Sequence, residues 1–266
     1  MSEPLSVEQV EAESNFAVLS GAPDDVAEFL GIATRRIGGG VALSMRDDRT
    51  NFWTKALGFT EPLTADVVAE VCDFYREQGV GRAVLQLAPS ALPAEWDEIR
   101  AKQGITAGTT WVKLAHNGSP VTAGETSLRV DVVDREHAEE WSAVRLTGFG
   151  MPLDGYRALF AATLAHPGVT AYGAWDDDRI VAGASLFTHG GAAEFAGAST
   201  LPEHRDRGAQ SALLSRRIAD ATAAGCTVLS AEAGKPAEGE RNPSLENMRR
   251  LGFEVLYDRV NWVWTP

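Results

Sequence analysis

Apolar and polar positions in the carboxy-terminal half of the chain follow two periods, two residues in some segments and about 3.6 residues in others. The two-residue period predicts strands over residues 127–133, 169–175, 180–188, 192–198, 227–231, 254–257 and 261–264. The longer period predicts helices over residues 135–147, 154–164, 210–224 and 244–251. The predicted order is strand, two helices, three strands, helix, strand, helix and two closing strands. This order is typical of a mixed α/β (α+β) fold.

The amino-terminal half repeats part of this order at a lag of about 147 residues. A predicted helix at 64–78 and strand at 82–87 correspond to the later helix at 210–224 and the strand after it. Each half then has a helix that ends in a glycine followed by an apolar residue, Gly104-Ile105 and Gly252-Phe253. True repetition would give two units with one scaffold. Because helices and strands alternate in any α/β chain, an unrelated first half is the alternative.

Turn-forming residues dominate the segment from His116 to Glu125, which has no periodic apolar pattern. Such a composition is typical of an exposed connection between two units. The first thirteen residues are acidic and contain serine, which indicates a flexible tail that ends before Phe16. The sequence therefore predicts a tail at 1–15, a first unit at 16–117, a linker at 118–126 and a second unit at 127–266.

The composition is that of a folded protein with an acidic surface. Of the 266 residues, 44% are hydrophobic and 23% are charged, and the net charge is −13. A length of this size makes two domains a fair expectation. The negative charge would repel a phosphate backbone, so we expect no nucleic-acid partner.

Cysteine and histidine usage predicts neither a disulfide nor a metal site. Cys72 and Cys226 lie far apart in apolar segments, which is typical of buried thiols in a reducing compartment. The five histidines and two cysteines show no metal-ligand spacing. No apolar run reaches the length of about 18 residues that spans a bilayer, and the amino terminus has no signal-peptide pattern. We therefore expect a cytoplasmic protein that does not bind a membrane.

The segment from Thr200 to Ser211 joins a predicted strand to a predicted helix, and it contains Arg205, Arg207 and Gly208. The first turn of a helix has unpaired N–H groups and a partial positive charge, so it can bind phosphate oxygens, and a glycine allows close approach of the backbone. This segment therefore has the chemistry of a pyrophosphate site. Taken alone, it could also be an ordinary charged surface turn.

The order of elements, this segment and the later run from Asn242 to Phe253 together resemble the GNAT N-acetyltransferase superfamily. The resemblance implies two GNAT-like units, each a central mixed, mostly antiparallel sheet flanked by helices. It also implies that acetyl-CoA binds the second unit, with its pantetheine paired to the fourth strand and its diphosphate on the loop that opens the next helix. The pantetheine would pair with Ser199, Thr200 and Leu201. The diphosphate would contact Arg205, Arg207, Gly208, Ala209, Gln210 and Ser211.

The first unit is expected to be degenerate. At the position of the phosphate loop it has residues 57–63, which contain no arginine and include Glu61, an acidic residue that would oppose phosphate. We expect this unit to keep the scaffold without binding coenzyme, and to shape the acceptor cleft or an interface.

The second unit departs from the family pattern at two places. The phosphate loop of the family usually ends in glycine or alanine where this chain has Gln210, whose side chain could crowd the diphosphate or turn outward and donate a further hydrogen bond. The tyrosine that usually protonates the leaving thiolate is replaced by Met248, with Asn247 beside it near the coenzyme. Methionine cannot donate a proton, so Tyr257 on the next strand is a candidate acid, and solvent is the alternative.

A base must take a proton from the attacking ammonium, and the sequence offers four candidates near the fourth and fifth strands, Glu194, Glu203, His204 and Glu232. Glu232 is the first choice because it ends the fifth strand, where strand ends in this fold face the acceptor. A backbone amide near Leu201 would polarise the thioester carbonyl. The amine would attack this carbonyl directly, without a covalent acyl-enzyme.

The leading hypothesis is therefore an acyl-CoA-dependent N-acyltransferase, most simply an N-acetyltransferase that uses acetyl-CoA, with no metal. Its acceptor would be a small-molecule or peptide amine, and the protein would be a monomer or a homodimer. The alternatives are an acyl-CoA-binding sensor without turnover and a protein that binds another phosphate ligand such as a nucleotide. The absence of the usual nucleotide-binding loops makes the last of these the weakest.

Overall fold

A single eleven-stranded sheet forms the centre of the protein, in a computed structural model that describes residues 5–122 and 124–266. Its strands are β1 (Ile32–Ile37), β2 (Gly40–Met45), β3 (Lys55–Leu57), β4 (Ala83–Gln86), β5 (Ile105–His116), β6 (Arg129–Val132), β7 (Val169–Asp176), β8 (Arg179–His189), β9 (Ala192–Thr200), β10 (Val228–Gly234) and β11 (Glu254–Trp264). Their order across the sheet is β1-β2-β3-β4-β11-β5-β10-β9-β8-β7-β6.

The helices cover this sheet. They are α1 (Val7–Ser20), α2 (Asp24–Leu30), α3 (Ala65–Glu77), α4 (Trp96–Lys102), α5 (Ala138–Phe149), α6 (Tyr156–Ala162), α7 (Ala209–Ala223) and α8 (Pro243–Arg250), with short 3-10 turns at Pro89–Ala91, Thr163–Ala165 and Pro202–His204. No helix among the described residues is long and apolar enough to cross a membrane.

The strand pairs are antiparallel except for β3–β4 and β9–β10, which are parallel. Parallel neighbours need a crossover, and α3 and α7 supply it in the two halves. The predicted mixed, mostly antiparallel α/β architecture is therefore confirmed. The two parallel pairs lie at equivalent distances on either side of the central β11–β5 pair, so corresponding elements of the two halves occupy pseudo-symmetric positions.

The prediction of one sheet for each half is wrong, because the halves exchange their last strands. β5 comes from the first half and pairs along β10 of the second half, from His116 opposite Leu229 to Trp111 opposite Gly234. β11 comes from the second half and pairs with β4 of the first half. These are the two longest central strands, and they also pair with each other. The exchange therefore joins both halves into one sheet.

The prediction of a flexible tail is wrong for residues 7–15, which lie within α1. The helix begins at a capping box in which the Ser6 side chain and the Gln9 side chain bind each other's backbone N–H groups. Val10, Glu8 and Glu11 are buried. The helix looks acidic in the sequence because two of its inward-facing residues are glutamates, whose partners lie on distant strands. Residues 1–4 of the predicted tail lie outside the described residues.

Three large apolar clusters stabilise the layers. One packs α7 against the second half of the sheet, one packs α3 against the first half, and one lies between the halves. The third combines Leu43 and Trp53 with Trp141, Tyr156 and Phe160. Burial of apolar area at this seam holds the two halves in one arrangement.

Candidate active site

The site forms where β9 and β10 diverge. The two strands pair in parallel from Ala192 opposite Val228 to Phe195 opposite Ala231, and their pairing ends there. Just beyond this point Gly197 has φ +58°, and the register between β8 and β9 shifts. The last residues of β9 therefore turn away from β10 and open the sheet.

A cavity of about 530 Å³ lies at this opening, and both halves of the chain line it. The second half contributes residues 196–198 of β9, side chains of α7 and α8, and the carboxylates of Glu194 and Glu232. The first half contributes α1 and an aromatic wall of Phe52, Trp53 and Trp111. The volume lies in the range of small-molecule sites.

A buried network of charged side chains forms the floor beside the cavity. Arg259 on β11 donates to Glu8 at 2.9 and 3.0 Å and to Glu11 at 2.7 and 2.9 Å, and it also pairs with Glu232. Lys113 on β5 donates to Glu11 at 2.7 Å. The side chains of Arg259 and Lys113 are fully buried. Ions removed from water in this way are stable only when they are paired and hydrogen-bonded.

Charge balance in this network leaves one carboxyl group without a matching cation. The acids are Glu8, Glu11, Glu194 and Glu232, and the cations are Lys55, Lys113 and Arg259. Burial opposes ionisation of Glu11, but Arg259 and Lys113 outweigh it and hold its pKa well below the usual value. Burial, together with the charge of Glu11, raises the pKa of Glu232.

Glu194 is the acid whose ionisation this environment opposes most clearly. Burial raises its pKa to about 8, and the nearby charge of Glu11 adds to this effect, although Lys113 opposes it. The Lys113 Nζ lies 3.8 Å from Glu194 Oε2, too far for a hydrogen bond. Among the described residues this buried oxygen has no hydrogen-bond partner. A carboxyl group that titrates near neutral pH beside a cavity can serve as a general base.

The loop before α7 has the backbone geometry of an anion site. Gly208 has φ +79° and stands at the amino-terminal end of the helix, which no described side chain caps. A Cβ on Gly208 would lie 2.0 Å from the Glu125 backbone oxygen. Thr126 donates to the Arg207 carbonyl at 2.7 Å, so the segment between the halves holds this loop in place. The N–H groups of the first turn of a helix can bind phosphate oxygens.

Residues 114–237 match the family model described as "Acetyltransferase (GNAT) domain". This segment of the chain is a GNAT domain. The match spans β6 to β10 and therefore includes the strand opening, α7 and the loop before it. No curated protein matches the chain.

Solved GNAT proteins share the fold over nearly the whole chain. A GCN5-related N-acetyltransferase from Kribbella flavida gives a TM-score of 0.60 at 19% identity, covering 96% of this chain and 95% of that one. A putative GNAT acetyltransferase from Novosphingobium aromaticivorans gives 0.58 at 17% identity, with 97% of both chains covered. A tandem GNAT protein from the clavulanic acid biosynthesis pathway gives 0.57 at 15% identity, covering 98% and 97%. These likenesses extend the fold beyond the GNAT domain into the first half.

The two loop arginines of the GNAT domain have protein partners. Arg207 donates to both carboxylate oxygens of Asp176, at 2.5 and 3.0 Å, and to Ser127. Arg205 is exposed and donates to the Gly148 carbonyl at 3.2 Å. The charge of Arg207 is therefore matched by an acid, whereas in the described part of the chain that of Arg205 is not.

The strand residues predicted to pair with pantetheine are partly engaged. The Ser199 hydroxyl donates to the Arg145 carbonyl at 2.9 Å. The Leu201 N–H donates to the Val181 carbonyl at 2.9 Å, and the side chain of Leu201 is buried. The amide near Leu201 that was predicted to polarise the thioester carbonyl is therefore not that of Leu201 itself, because the Leu201 N–H already has an acceptor. Residues 196–198, which line the cavity in the GNAT domain, are better placed.

Gln210 neither points outward nor blocks the first turn of α7. Its side chain donates to Ser244 at 2.7 Å and accepts from Asn247 at 2.5 Å, so it links α7 to α8. Gln210, Ser244 and Met248 all line the cavity. The sequence left the direction of the Gln210 side chain open, and these contacts show that it points toward α8.

Of the two predicted catalytic residues, the structure brings Glu232 to the cavity and leaves Tyr257 outside its lining. The Tyr257 hydroxyl donates to Glu8 at 2.8 Å, and burial raises its pKa well above the usual value. This geometry makes it part of the network that holds α1. Of the other candidate bases, Glu203 is exposed and His204 lies beside Asp176, away from the cavity.

Sequence reasoning missed seven charged residues of the site and the network beside it, namely Glu8, Glu11, Lys55, Lys113, Arg145, Arg217 and Arg259. Glu11 and Lys113 belong to the part of the chain that was read as a tail and a degenerate unit, and Arg145 and Arg217 are helix residues without a motif. The cavity is lined by Glu11, Arg145 and Arg217. The one available signal was the spacing of Glu8 and Glu11, because residues three apart lie on the same face of a helix.

Replacing Gly208 by alanine is expected to destabilise the protein and to weaken coenzyme binding. Alanine is strained at φ +79°, and its Cβ would press on the Glu125 carbonyl. Gly225→Ala is the matched control, because Gly225 has φ +80° and open space at the Cβ position. Thermal unfolding and calorimetry with CoA should show a loss at Gly208 that exceeds the control by at least about 1 kcal/mol. Equal losses would mean that the contact with Glu125 is unimportant.

Proposed function

We propose that this protein is an acyl-CoA-dependent N-acyltransferase that moves an acetyl group from acetyl-CoA to an amine. The observation that carries the proposal is the opening between β9 and β10, with the Glu194 and Glu232 carboxyls beside a cavity that a thioester and an amine can share. Members of the GNAT family generally use acetyl-CoA, and the GNAT domain spans this opening.

The chain offers a binding path for the donor. The N–H groups of Gly208, Ala209, Gln210 and Ser211 would hold the diphosphate, and Arg205 would add positive charge. Because Arg207 is paired with Asp176, its contribution requires that this ion pair open. The exposed edge of β9 at Ala198, Ser199 and Thr200 would pair with pantetheine, and Asn247 would flank the thiol end through its contact with Gln210.

Glu194 has the main chemical role in this proposal, in place of Glu232. Glu232 is paired with Arg259, so its carboxylate already has a cationic partner. Glu194 lines the cavity, and its ionised carboxylate can accept a proton from the ammonium group of the acceptor, directly or through a water. The donor supplies an activated acyl thioester. The N–H groups of residues 196–198 would stabilise negative charge on its carbonyl oxygen, and solvent would supply the proton that Met248 cannot.

The first half would act as a degenerate GNAT-like unit that completes the acceptor side. Its α1 places Glu11 beside Lys113 and Glu194, and its aromatic residues form one wall of the cavity. Such a tandem arrangement would leave coenzyme binding to the second half alone.

Incubation of the protein with acetyl-CoA and a library of amines tests this function, with release of free CoA thiol as the readout. We expect thiol release that depends on the acceptor, and mass spectrometry of the product should show one added acetyl group. Calorimetry with CoA in parallel should give a single site. Tight CoA binding without any acceptor-dependent thiol release would instead favour an acyl-CoA sensor.

A further inference from the structure

Two arginines line the cavity without an acidic partner among the residues that the structure describes. Arg145 on α5 is 7% exposed and Arg217 on α7 is 2% exposed. Arg145 Nε donates to the Gly197 carbonyl at 2.8 Å. Arg217 donates to the carbonyls of Leu213 and Ser185, at 3.2 and 2.9 Å. Within the described residues no carboxylate oxygen lies within 4.0 Å of either guanidinium.

The position of Arg145 is built into the fold. Its guanidinium lies 4.3 Å from the ring centre of Trp141 and 5.2 Å from that of Phe160. Gly197 makes room for it, because a Cβ at this residue would lie 1.6 Å from Arg145 Nη2. The positive φ of Gly197 and its missing side chain thus place the guanidinium against the open end of β9.

An unmatched buried cation is costly for the folded protein. Burial lowers the pKa of Arg145 to about 9, and the charge of Arg217 adds to this effect. Burial also lowers the pKa of Arg217 to about 10. The buried Arg259 and Lys113, by contrast, have carboxylate partners. An anionic ligand in the cavity would supply the missing counter-charge to Arg145 and Arg217.

The acceptor is the natural source of this anion. The thioester end of the donor is uncharged, and in the proposed function its phosphates lie at the amino-terminal end of α7. Glu194, which would face the amine, precedes Gly197 by three residues, which is at most about 10 Å along β9 because the strand turns at Gly197. A small molecule with an amine and an acid can span this distance when both ends are hydrogen-bonded.

We propose that the acceptor is an amino acid with an apolar side chain, whose carboxylate is bound by Arg145 with support from Arg217. Its amine would face Glu194, and its side chain would lie against Phe52, Trp53 and Trp111 on the wall from the first half. A guanidinium fork binds a carboxylate with two parallel hydrogen bonds, which gives direction as well as affinity. This inference rests on the proposed function for the identity of the reaction.

Matched acids and amides test the proposal. The wild-type protein is assayed with L-phenylalanine, L-leucine, L-methionine and L-tryptophan and with the carboxamide of each. We expect kcat/KM to be at least ten times higher for the acids. The amine of a carboxamide is less basic and so is intrinsically more available for attack, which means that a preference for acids must come from the site. Equal or better turnover of the amides would overturn the proposal.

Three variants locate the preference. Arg145→Gln removes the guanidinium. Gly197→Ala leaves Arg145 in the sequence, but the new Cβ pushes the guanidinium out of its position. Both should bring the ratio of acid to amide turnover close to one. Arg129→Gln is the matched control, because Arg129 stacks on Trp175 at 4.3 Å on the exposed edge strand, and the ratio should not change. An equal loss for acids and amides would assign Arg145 to the donor carbonyl or the leaving thiolate and would overturn the proposal.

A binding measurement separates this proposal from the proposed function. Calorimetry compares N-acetyl-L-phenylalanine with its carboxamide in the presence of CoA. The acid should bind the wild-type protein at least ten times more tightly, and Gly197→Ala should lose this difference even if Arg145→Gln fails to fold. Absence of the difference overturns the carboxylate site. If the acid binds more tightly but no amine is acetylated, the carboxylate site is supported and the proposed acyltransferase function is not.

Discussion

Replacing Glu194 by glutamine is expected to lower kcat at least 100-fold while the protein keeps its fold and its affinity for CoA. General bases contribute about 100- to 10,000-fold to rates. Glutamine keeps the shape of the side chain and resembles the protonated carboxyl group that the buried site already favours, so the fold should tolerate it. The measurement is steady-state thiol release with the best acceptor found. Glu203→Gln is the control, because Glu203 is exposed and was an equal candidate in the sequence.

The pH dependence gives a second readout of the same change. Because burial raises the pKa of Glu194 to about 8, kcat/KM of the wild-type protein should rise with pH through this value as the base loses its proton. Acceptors with different amine basicity should share this inflection if it belongs to the enzyme. In Glu194→Gln the inflection should vanish. An unchanged profile would transfer the role of base to Glu232.

The same pKa has a consequence for stability. A carboxyl group whose folded pKa is raised stabilises the folded state most below its unfolded value, and this contribution is lost as pH rises through the folded value. The wild-type protein should therefore lose stability between about pH 5 and pH 8 through this group. Glutamine does not titrate, so Glu194→Gln should show a flatter decline in melting temperature over this range.

Replacing Arg259 by methionine is expected to have the largest effect on stability, a loss of about 3–5 kcal/mol. Arg259 is fully buried and is the shared partner of Glu8, Glu11 and Glu232. Its removal leaves three carboxylates close together with little access to water, and the two remaining cations, Lys55 and Lys113, do not balance them. Because Glu8 and Glu11 lie on α1, we also expect α1 to detach more readily from the sheet.

Denaturant unfolding and hydrogen exchange measure these two effects. Arg35→Met is the matched control, since Arg35 pairs with Glu77 at the surface, where such pairs contribute at most about 1 kcal/mol. Faster exchange in residues 7–20 of Arg259→Met would show that the network anchors the helix. Adding Glu232→Gln to Arg259→Met should recover part of the stability, because it removes one of the uncompensated acids. A loss for Arg259→Met no larger than that of the control would contradict the role of the network.

The second half of the chain was predictable because its signals are local. The periodic pattern placed helix 210–224 within one residue of α7 at each end, and it placed strand 192–198 within β9. The glycine before α7 was read correctly as a helix start, since a positive φ and an uncapped amino terminus are set by neighbouring residues. The pattern also suggested a repeat, and equivalent elements do occupy pseudo-symmetric positions in the sheet.

The sequence by itself determined the order of elements, the α/β class and the glycine turn that opens α7, because periodicity, helix starts and glycine conformations depend on nearby residues. The tertiary structure alone decided the strand exchange, the packing of α1 and the raised pKa of Glu194. These depend on charges and strand edges that meet across long separations, 251 residues for Arg259 and Glu8 and 102 for Lys113 and Glu11. The sequence does not show which groups will surround a glutamate. Its pKa is set by the burial and the partners that folding supplies.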